Sequence, residues 1–416
     1  MGFSYRHGVL HAEDVSCERI AEEHGSPCYV YSRAALEAAL GAYQRALAGC
    51  DHLLCYAVKA NSNLALLQLL ARAGAGFDVV SVGELERVLA AGGDANRVVY
   101  SGVLKQPREL RRALQAGIRC FNLESEAELD CLQRVAAELG LRAPVSVRVN
   151  PDVDPRTHPY ISTGLRENKF GVDPDAALGM LRRAATLPNI ELIGLDCHIG
   201  SQLTEIDPLL EALDALLAMC DRLAQEGIAL HHLDLGGGIG VRYRDEEPPA
   251  IADCVAALRA RIGARPLTLV LEPGRSIVAN AGLLLTRVHH LKHSPTHDFA
   301  LVDAAMNDFI RPALYGAWVD IQCVRPAAAG RRRHWDIVGP VCETADFLGR
   351  GRELTLGEGS LLAVQGAGAY GFSMSSNYNS RPRPPELLVD GARSHLVRER
   401  ETLADLWRGE RLLPPV

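Results

Sequence analysis

The alternation of short apolar runs with helical patterns between residues 50 and 275 constrains the fold more than any other feature of the chain. Residues 64–71 and 208–225, for example, carry leucine and alanine at helical spacing. Apolar runs that alternate with helices predict parallel strands. The runs are Leu53–Val58, Gly76–Val80, Arg97–Tyr100, Arg119–Leu123, Val145–Val149, Leu192–Cys197, His231–Leu235 and Leu267–Leu271.

Eight such strand–helix units predict a closed (β/α)₈ barrel of the TIM type, an α/β fold, over residues 32–280. An open doubly wound sheet is the alternative, because strand counts from a single sequence err by about one or two.

The pattern changes after about residue 280, where helical spacing becomes rare. The short apolar segments there predict a C-terminal antiparallel β domain. Val9–Leu10 and Tyr29–Tyr31 are predicted to join it, because chain termini often lie close together. The β domain therefore comprises 1–31 and 281–416. Its predicted strands are Leu283–Leu291, Phe299–Val302, Trp335–Val338, Glu353–Leu356 and Leu361–Val364.

Composition excludes several classes of protein. The net charge of the 416 residues is −7, so no nucleic-acid partner is expected. No stretch has the roughly 18 apolar residues that a membrane helix needs. The eleven cysteines are odd in number and form no C-x-x-C pair, which indicates reduced thiols and a cytoplasmic location. No His/Cys/Asp cluster with metal-ligand spacing is present, so no metal is expected.

Each predicted strand ends in a polar or glycine cluster. Functional groups of a (β/α)₈ barrel lie at this end of the strands, so the pattern predicts an active site there. The clusters are Lys59, Asp78 with Ser81, Ser101, Asn122 with Glu124, Arg148 with Asn150, His198 with Ser201, Gly236–Gly238, and Glu272 with Arg275.

Lys59 follows the apolar run Cys55–Val58. A lysine surrounded by apolar groups is desolvated, which favours its neutral, nucleophilic amine and permits a Schiff base with an aldehyde. The alternative is a structural lysine held in an ion pair.

Three further strand ends suggest a cofactor. The backbone N–H groups of Gly236, Gly237 and Gly238 can bind a phosphate, and in barrels phosphate sites favour the loops after strands seven and eight. Glu272 can pair with a ring nitrogen and Arg275 with a carboxylate or phosphate, unless the two simply pair with each other. His198 can stack on a ring, although a core histidine is the alternative. Lysine, glycines, carboxylate and histidine together predict a pyridoxal phosphate pocket.

Several motifs resemble those of diaminopimelate decarboxylases, which belong to the alanine-racemase-fold group of pyridoxal phosphate enzymes. The resemblance extends from about residue 10 to residue 395. The motifs are YAVKAN (56–61), GFDVVSVGEL (76–85), RENKFG (166–171), HIGSQ (198–202), DLGGGIG (234–240), EPGR (272–275), MNDFIRPALYGA (306–317), GPVCETADFL (339–348) and GAYGFSMSSNYNSRPRPPE (368–386).

The resemblance implies a role for each matching residue. Lys59 would hold the cofactor covalently, and Cys342 would protonate the product carbanion. The cofactor-binding set would be Lys59, Asp78, His198, Ser201, Gly236, Gly237, Gly238, Glu272, Pro273, Gly274, Arg275 and Tyr370. The substrate-binding set would be Arg275, Arg311, Tyr315, Glu343 and Tyr370.

The resemblance further implies decarboxylation of meso-2,6-diaminopimelate to L-lysine and CO₂, the last step of bacterial lysine biosynthesis. The enzyme would be a homodimer with shared active sites, because Cys342 and Glu343 reach the site of the second subunit in this family. The alternatives are a decarboxylase for ornithine, lysine, arginine or carboxynorspermidine, an amino-acid racemase, and a noncatalytic cofactor-binding regulator.

Overall fold

The computed structural model describes residues 2–154, 163–164, 168–327 and 330–415. The chain divides into two compact units, which we call the barrel unit and the β unit. The barrel unit comprises Ala38–Arg242 and Glu246–Ile277. The β unit comprises Met1–Glu37, Tyr243–Asp245 and Val278–Val416.

Strands and helices are numbered in chain order. The strands are β1 (Phe3–Arg6), β2 (Val9–Ala12), β3 (Val15–Ser16), β4 (Cys28–Ser32), β5 (His52–Ala57), β6 (Gly76–Val79), β7 (Val98–Tyr100), β8 (Cys120–Leu123), β9 (Ala143–Arg148), β10 (Ile190–Asp196), β11 (His232–Asp234), β12 (Thr268–Leu271), β13 (Gly282–His293), β14 (Asp298–Val302), β15 (Ile321–Cys323), β16 (Arg333–Val338), β17 (Phe347–Leu354), β18 (Leu361–Val364), β19 (Glu386–Asp390) and β20 (Arg393–Arg398).

The helices are α1 (Cys17–His24), α2 (Arg33–Ala46), α3 (Leu64–Arg72), α4 (Val82–Ala90), α5 (Pro107–Ala116), α6 (Glu126–Leu139), α7 (Pro174–Ala184), α8 (Asp207–Gln225), α9 (Ile251–Ile262), α10 (Arg275–Val278), α11 (Arg311–Tyr315) and α12 (Leu403–Leu406). None of the helices in the described ranges is long and apolar enough to cross a membrane.

Strands β5 to β12 form a closed parallel barrel. The last strand pairs with the first, with Leu269 opposite His52 and Leu271 opposite Leu54. Each of the eight apolar runs becomes one barrel strand, so the (β/α)₈ prediction is confirmed and the open sheet is excluded.

The barrel interior changes from apolar to polar along the strands. Leu53, Cys55, Val99, Cys120 and Val270 come from four different strands and pack together as one buried cluster. Successive side chains of a strand point to opposite faces, so the residues two positions further along also face inward. Those residues include Ser101, Asn122 and Glu272, so a polar layer lies next to the apolar core, at the carboxyl ends of the strands.

Some of the strand-end polar residues are helix caps. The side chain of Ser81 accepts a hydrogen bond from Glu84 N at the start of α4, and Asn63 caps α3 in the same way. Caps of this kind satisfy N–H groups that a helix leaves unpaired in its first turn. Ser81 therefore has a structural role.

The β unit contains two sheets. Strands β1 to β3 form a three-stranded sheet, and a nine-stranded sheet has the order β17-β16-β14-β13-β4-β19-β20, with β18 pairing with both β13 and β15. Strand β4 lies between β13 and β19, which confirms that the N-terminal segment joins the C-terminal β domain.

Two pairings in this sheet differ from the antiparallel prediction. Strand β14 pairs with β16 in parallel, and β4 pairs with β19 in parallel. Parallel pairs need a long crossover rather than a tight turn. Strands β4 and β19 come from opposite ends of the chain, so no local turn signal could have indicated their orientation.

Candidate active site

Lys59 lies just beyond strand β5, in the 3₁₀ turn Val58–Ala60. Its Nζ donates a hydrogen bond to Asp78 Oδ2 at 2.6 Å. The Asp78 side chain is fully buried, whereas 35% of the Lys59 side chain remains exposed. The surroundings of Lys59 are therefore more polar than the sequence predicted, because a buried carboxylate rather than an apolar wall holds the amine.

Four carboxyl groups lie buried in the polar layer of the barrel: Asp78, Asp196, Asp234 and Glu272. Burial raises the pKa of Glu272 well above its ordinary value, and the nearby Asp234, Asp78 and Asp196 raise it further. Burial likewise raises the pKa of Asp234 to about 6. Glu272 Oε1 is buried without a hydrogen-bond partner in the described residues. This oxygen is therefore available to a group that the protein itself does not supply.

The glycine loop after β11 has no room for side chains. A Cβ on Gly237 would lie 2.2 Å from the carbonyl oxygen of Glu272, and a Cβ on Gly238 would lie 2.4 Å from that of Gly200. Gly236 and Gly238 also have positive φ angles, 64° and 106°, which favour glycine. The loop is therefore bare backbone, packed closely against the backbone of Glu272 and Gly200, at a barrel position typical of phosphate sites.

His198 contacts this loop directly. The N–H of Gly237 donates to His198 Nδ1 at 3.2 Å, so this ring nitrogen acts as an acceptor. Burial lowers the pKa of His198 well below its ordinary value, and Lys59 and Arg148 lower it further. The ring is therefore neutral and held in place beside the glycines, as a stacking partner for a flat ligand would be.

The Glu272–Arg275 turn adjoins the strand that precedes Lys59. The N–H of Ala57 donates to the carbonyl oxygen of Pro273 at 3.1 Å. A Cβ on Gly274 would lie 2.9 Å from the Cβ of Ala60, so this glycine permits close packing.

Arg275, the first residue of α10, completes the predicted set in the barrel unit. Its Nε and Nη2 donate to Ser201 Oγ at 3.1 and 3.0 Å. The structure thus brings Arg275 and Ser201 together. All the predicted cofactor-binding residues except Tyr370 lie in the barrel unit.

Cys342 and Glu343 are exposed on a loop of the β unit. Asn379 Oδ1 accepts a hydrogen bond from Cys342 N at 2.7 Å, and Tyr378 Oη donates to Glu343 Oε2 at 3.1 Å. Asp346 accepts from Met306 N at 2.6 Å and from Val341 N at 2.8 Å. Asp346 therefore fastens the loop that carries Cys342 to the segment that precedes α11.

The other predicted substrate-binding residues also lie in the β unit. Arg311 begins α11, is buried, and stacks on the Tyr243 ring at 4.5 Å. Tyr315 is the last residue of the same helix. Tyr370 has a positive φ angle of 54°, which is uncommon for a residue with a bulky side chain.

Comparison with known proteins identifies the family. Residues 33–279 match the family described as pyridoxal-dependent decarboxylase, pyridoxal binding domain. The diaminopimelate decarboxylase of Pseudomonas aeruginosa is 64% identical over 412 residues, which cover 99% of both chains. That of Vibrio cholerae is 57% identical over 414 residues, again 99% of both chains. This protein belongs to the diaminopimelate decarboxylase family.

Solved structures of this family are closely similar. A diaminopimelate decarboxylase from Helicobacter pylori complexed with L-lysine has a TM-score of 0.91 at 42% identity, covering 94% of this chain and 98% of that one. One from M. jannaschii, also in complex with L-lysine, has a TM-score of 0.94 at 38% identity, covering 99% and 98%. The predicted family, fold and pyridoxal phosphate cofactor are thereby confirmed.

Two buried acids in this diaminopimelate decarboxylase relative were not among the predicted site residues. Asp196 lies two positions before His198, and Asp234 lies two positions before Gly236. The alternation of side chains along a strand could have identified both, because residues two apart share a face. Strand β10 ends at Asp196 and β11 at Asp234, whereas the predicted runs ended at Cys197 and Leu235, so the prediction looked for functional residues slightly too far along the chain.

Proposed function

We propose that this protein decarboxylates meso-2,6-diaminopimelate to L-lysine and CO₂, the last step of bacterial lysine biosynthesis. The observation that carries the proposal is the 64% identity, over almost the whole chain, to a diaminopimelate decarboxylase. The predicted site residues are all present in this chain, and relatives named for this activity have L-lysine bound.

Three features of the barrel unit fit pyridoxal phosphate. Lys59 supplies a primary amine for its aldehyde, and the loop Gly236–Gly238 supplies a stretch of backbone without side chains at a barrel position typical of phosphate sites. Glu272 Oε1 is a buried oxygen without a partner in the described residues, as a ring-nitrogen contact requires. We assign these groups to the aldehyde, the phosphate and the ring nitrogen, with Asp78, His198, Ser201, Pro273, Gly274, Arg275 and Tyr370 completing the cofactor set.

The bound cofactor supplies an electron sink for the pair that remains when CO₂ leaves. The protein's own residues orient it and control protons. Asp78 holds the Lys59 ammonium at 2.6 Å, so the amine begins charged and must transfer a proton before it can react. His198 is neutral because it is buried, so it offers a flat uncharged ring.

Substrate recognition is assigned to residues of both units: Arg275, Arg311, Tyr315, Glu343 and Tyr370. Charged groups of this kind can pair with the distal carboxylate and ammonium of diaminopimelate. A substrate that lacks the distal carboxylate would leave an arginine unpaired, which supports strong discrimination.

We further propose a homodimer in which Cys342 and Glu343 act in the active site of the second subunit. The Cys342 thiol would deliver a proton to the α-carbon after CO₂ leaves. Residues 1–31 and 281–416 would then contribute to the substrate site and the dimer interface, and residues 32–280 would bind the cofactor. The eleven cysteines, all without disulfides, favour a cytoplasmic location.

Product analysis tests the proposed reaction. The purified protein with pyridoxal phosphate is incubated separately with meso-diaminopimelate, ornithine, lysine and arginine, and products are identified by mass spectrometry. Formation of L-lysine from diaminopimelate, with no amine from the other three, is the expected result. A diamine or agmatine as the only product would retain the cofactor assignment and overturn the substrate.

A further inference from the structure

The motif at residues 368–386 contributes Tyr370 to the predicted site, but its segment 376–381 has no assigned role. This segment lies in the β unit, as do Cys342 and Glu343. Two of its side chains form hydrogen bonds with these two residues. The segment is therefore a candidate for positioning the exposed part of the site.

Both ends of the segment are fixed to the same part of the β unit. At one end the N–H of Ser376 donates to the carbonyl oxygen of Asn307 at 2.9 Å. At the other end Arg381 Nε donates to Asn307 Oδ1 at 3.0 Å, and Arg381 Nη2 donates to the carbonyl oxygen of Asp303 at 2.6 Å. Asn307 is buried. These contacts restrict the movement of the residues between the two ends.

The backbone between these ends turns through the left-handed region. Asn379 has a φ angle of 56° and Ser380 one of 53°. Asparagine adopts this conformation more readily than most residues. Asn379 Oδ1 accepts the N–H of Cys342 at 2.7 Å, and Asp346 accepts the preceding N–H, that of Val341, at 2.8 Å. Two successive amide groups are thus held, which sets the direction in which the Cys342 side chain leaves the backbone.

Tyr378 makes the corresponding contact with Glu343. Its Oη donates to Glu343 Oε2 at 3.1 Å. This hydrogen bond raises the pKa of Tyr378, so the phenol keeps its proton and acts as the donor. An ionised carboxylate accepts through both oxygens, so Oε1 of Glu343 can still bind a cation. Within the proposed function that cation is the distal ammonium of the substrate.

We propose that Asn379 and Tyr378 are positioning residues with separate tasks: Asn379 orients Cys342 for proton delivery, and Tyr378 orients Glu343 for recognition of the distal ammonium. The two tasks rest on the proposed function, whereas the two hydrogen bonds do not depend on it. A misplaced proton donor slows the chemical step, whereas a misplaced binding group weakens substrate binding. The two residues should therefore affect different kinetic parameters.

Variants of Asn379 test the first task. Asn379→Gly keeps the left-handed backbone conformation but removes the acceptor for Cys342 N–H. Its kcat should fall about tenfold or more while KM stays within about twofold of the parent's. Asn379→Asp keeps both the acceptor and a tolerance of the left-handed conformation, so its kcat should recover to within about threefold of the parent's. Parental kcat in Asn379→Gly would overturn this task.

Variants of Tyr378 test the second task. Tyr378→Phe keeps the ring and removes only the hydroxyl, so KM for diaminopimelate should rise about three- to tenfold with kcat within about twofold of the parent's. In a Glu343→Ala background the same substitution should raise KM no further, because Tyr378 acts through Glu343. An effect that persists in full in that background would overturn this task.

The matched control is Ser380→Ala, at the neighbouring left-handed position, which makes neither of the two contacts in the described residues. It should keep parental kcat and KM. A fall in kcat as large as that of Asn379→Gly would mean that any change in the segment disturbs the site, and would overturn the separate tasks.

Hydrogen–deuterium exchange at the Cys342 amide, followed by mass spectrometry without substrate, tests the Asn379 contact independently of the reaction. Exchange should be at least about tenfold faster in Asn379→Gly than in the parent, and parental in Tyr378→Phe. Unchanged exchange in Asn379→Gly would refute the contact. A parent protein that yields no L-lysine from diaminopimelate refutes the proposed function and the two tasks with it, and the exchange rates then still decide whether Asn379 holds Cys342.

Discussion

The barrel unit and the β unit present their predicted site residues in different ways. In the barrel unit the residues lie at or just beyond the strand ends, among buried acids, and their side chains contact one another, as Lys59 contacts Asp78. In the β unit Cys342 and Glu343 are exposed, and the backbone of their loop is held by the side chains of Asp346 and Asn379.

This difference separates two kinds of constraint. A buried polar side chain that loses its partner keeps the cost of its desolvation, so changes in the barrel should affect cofactor binding and stability together. An exposed side chain on a loop whose backbone is held by hydrogen bonds contributes little to the stability of the fold. Its removal should therefore lower catalytic activity without changing stability or cofactor affinity. Variants of the two units should therefore give different combinations of activity, cofactor affinity and stability.

The largest effect is expected for Lys59. Replacement by alanine should abolish decarboxylation and the visible absorption of lysine-bound cofactor, because no other amine has been assigned to the aldehyde. Absorption spectra of the purified variant with added pyridoxal phosphate, together with L-lysine formation, measure both effects.

Lys59→Arg is the matched control because it keeps a cation beside Asp78. Like Lys59→Ala, it should be inactive and should lack the absorption band. Its melting temperature, however, should be closer to that of the parent than the melting temperature of Lys59→Ala is. A parent-like absorption band in either variant would contradict the assignment of Lys59 and remove the main distinction between the two units.

A smaller but still large effect is expected for Cys342. Replacement by serine keeps the size of the side chain but supplies a much poorer proton donor, so kcat should fall by roughly 10²–10⁴-fold. Cofactor affinity and melting temperature should stay at parental values, since the residue is exposed. Steady-state kinetics, a cofactor titration and thermal melts make the comparison.

Cys131, a partly buried thiol of the barrel unit without an assigned role, provides the control. Cys131→Ser should therefore keep parental kcat. If Cys342→Ser also keeps it, a different group donates the proton, and the exposed loop of the β unit loses its assigned function.

The two units also differ in what the sequence alone could predict. Eight apolar runs located the barrel strands because every strand is buried and bounded by helical patterns. The strand-end rule then identified Lys59 and Glu272 before any resemblance was used. The parallel pair of β4 and β19 could not be anticipated, because strands from opposite ends of the chain share no local signal. The roles of Cys342 and Glu343 were predicted only from the family resemblance, because an exposed loop has no hydrophobic periodicity that could indicate its position or function.

An intermediate effect is expected for Asp346, which is buried and accepts two backbone N–H groups. Asp346→Ala leaves both donors without this acceptor, so the loop that carries Cys342 should move. A displacement of about 1 Å can reduce catalysis by about 10²-fold. The buried N–H of Val341, left unpaired, also costs about 1–3 kcal/mol of unfolding free energy.

Asp346→Asn provides a graded control, because its remaining carbonyl oxygen can still accept one of the two N–H groups. Its kcat/KM should lie between those of the alanine variant and the parent. Cofactor affinity should be unchanged in both variants, as a fluorescence titration would show. Weakened cofactor binding would mean that the β unit influences the barrel site more than its own contacts indicate.

The smallest effect concerns His232, a buried group of the barrel to which no function is assigned. Both of its ring nitrogens lack hydrogen-bond partners in the described residues, and burial, with a contribution from Arg119, lowers its pKa to about 3. As the pH falls from about 6.5 towards 3, the unfolded chain takes up a proton that the folded protein does not. The folded protein therefore loses stability across this window, by about 2 kcal/mol at pH 5.

His232→Leu should remove this loss, so the difference in unfolding free energy between variant and parent should grow by about 2 kcal/mol from pH 7.5 to pH 5. Urea unfolding at the two pH values measures this difference.

The parent alone would not reveal the effect, because the raised pKa of the buried Asp234 acts in the opposite direction and stabilises the folded state as the pH falls. Subtracting the parent from the variant cancels that contribution. If the difference in unfolding free energy between His232→Leu and the parent does not change with pH, water or another polar group must reach the His232 ring. The barrel interior around His232 would then be more accessible than its burial indicates.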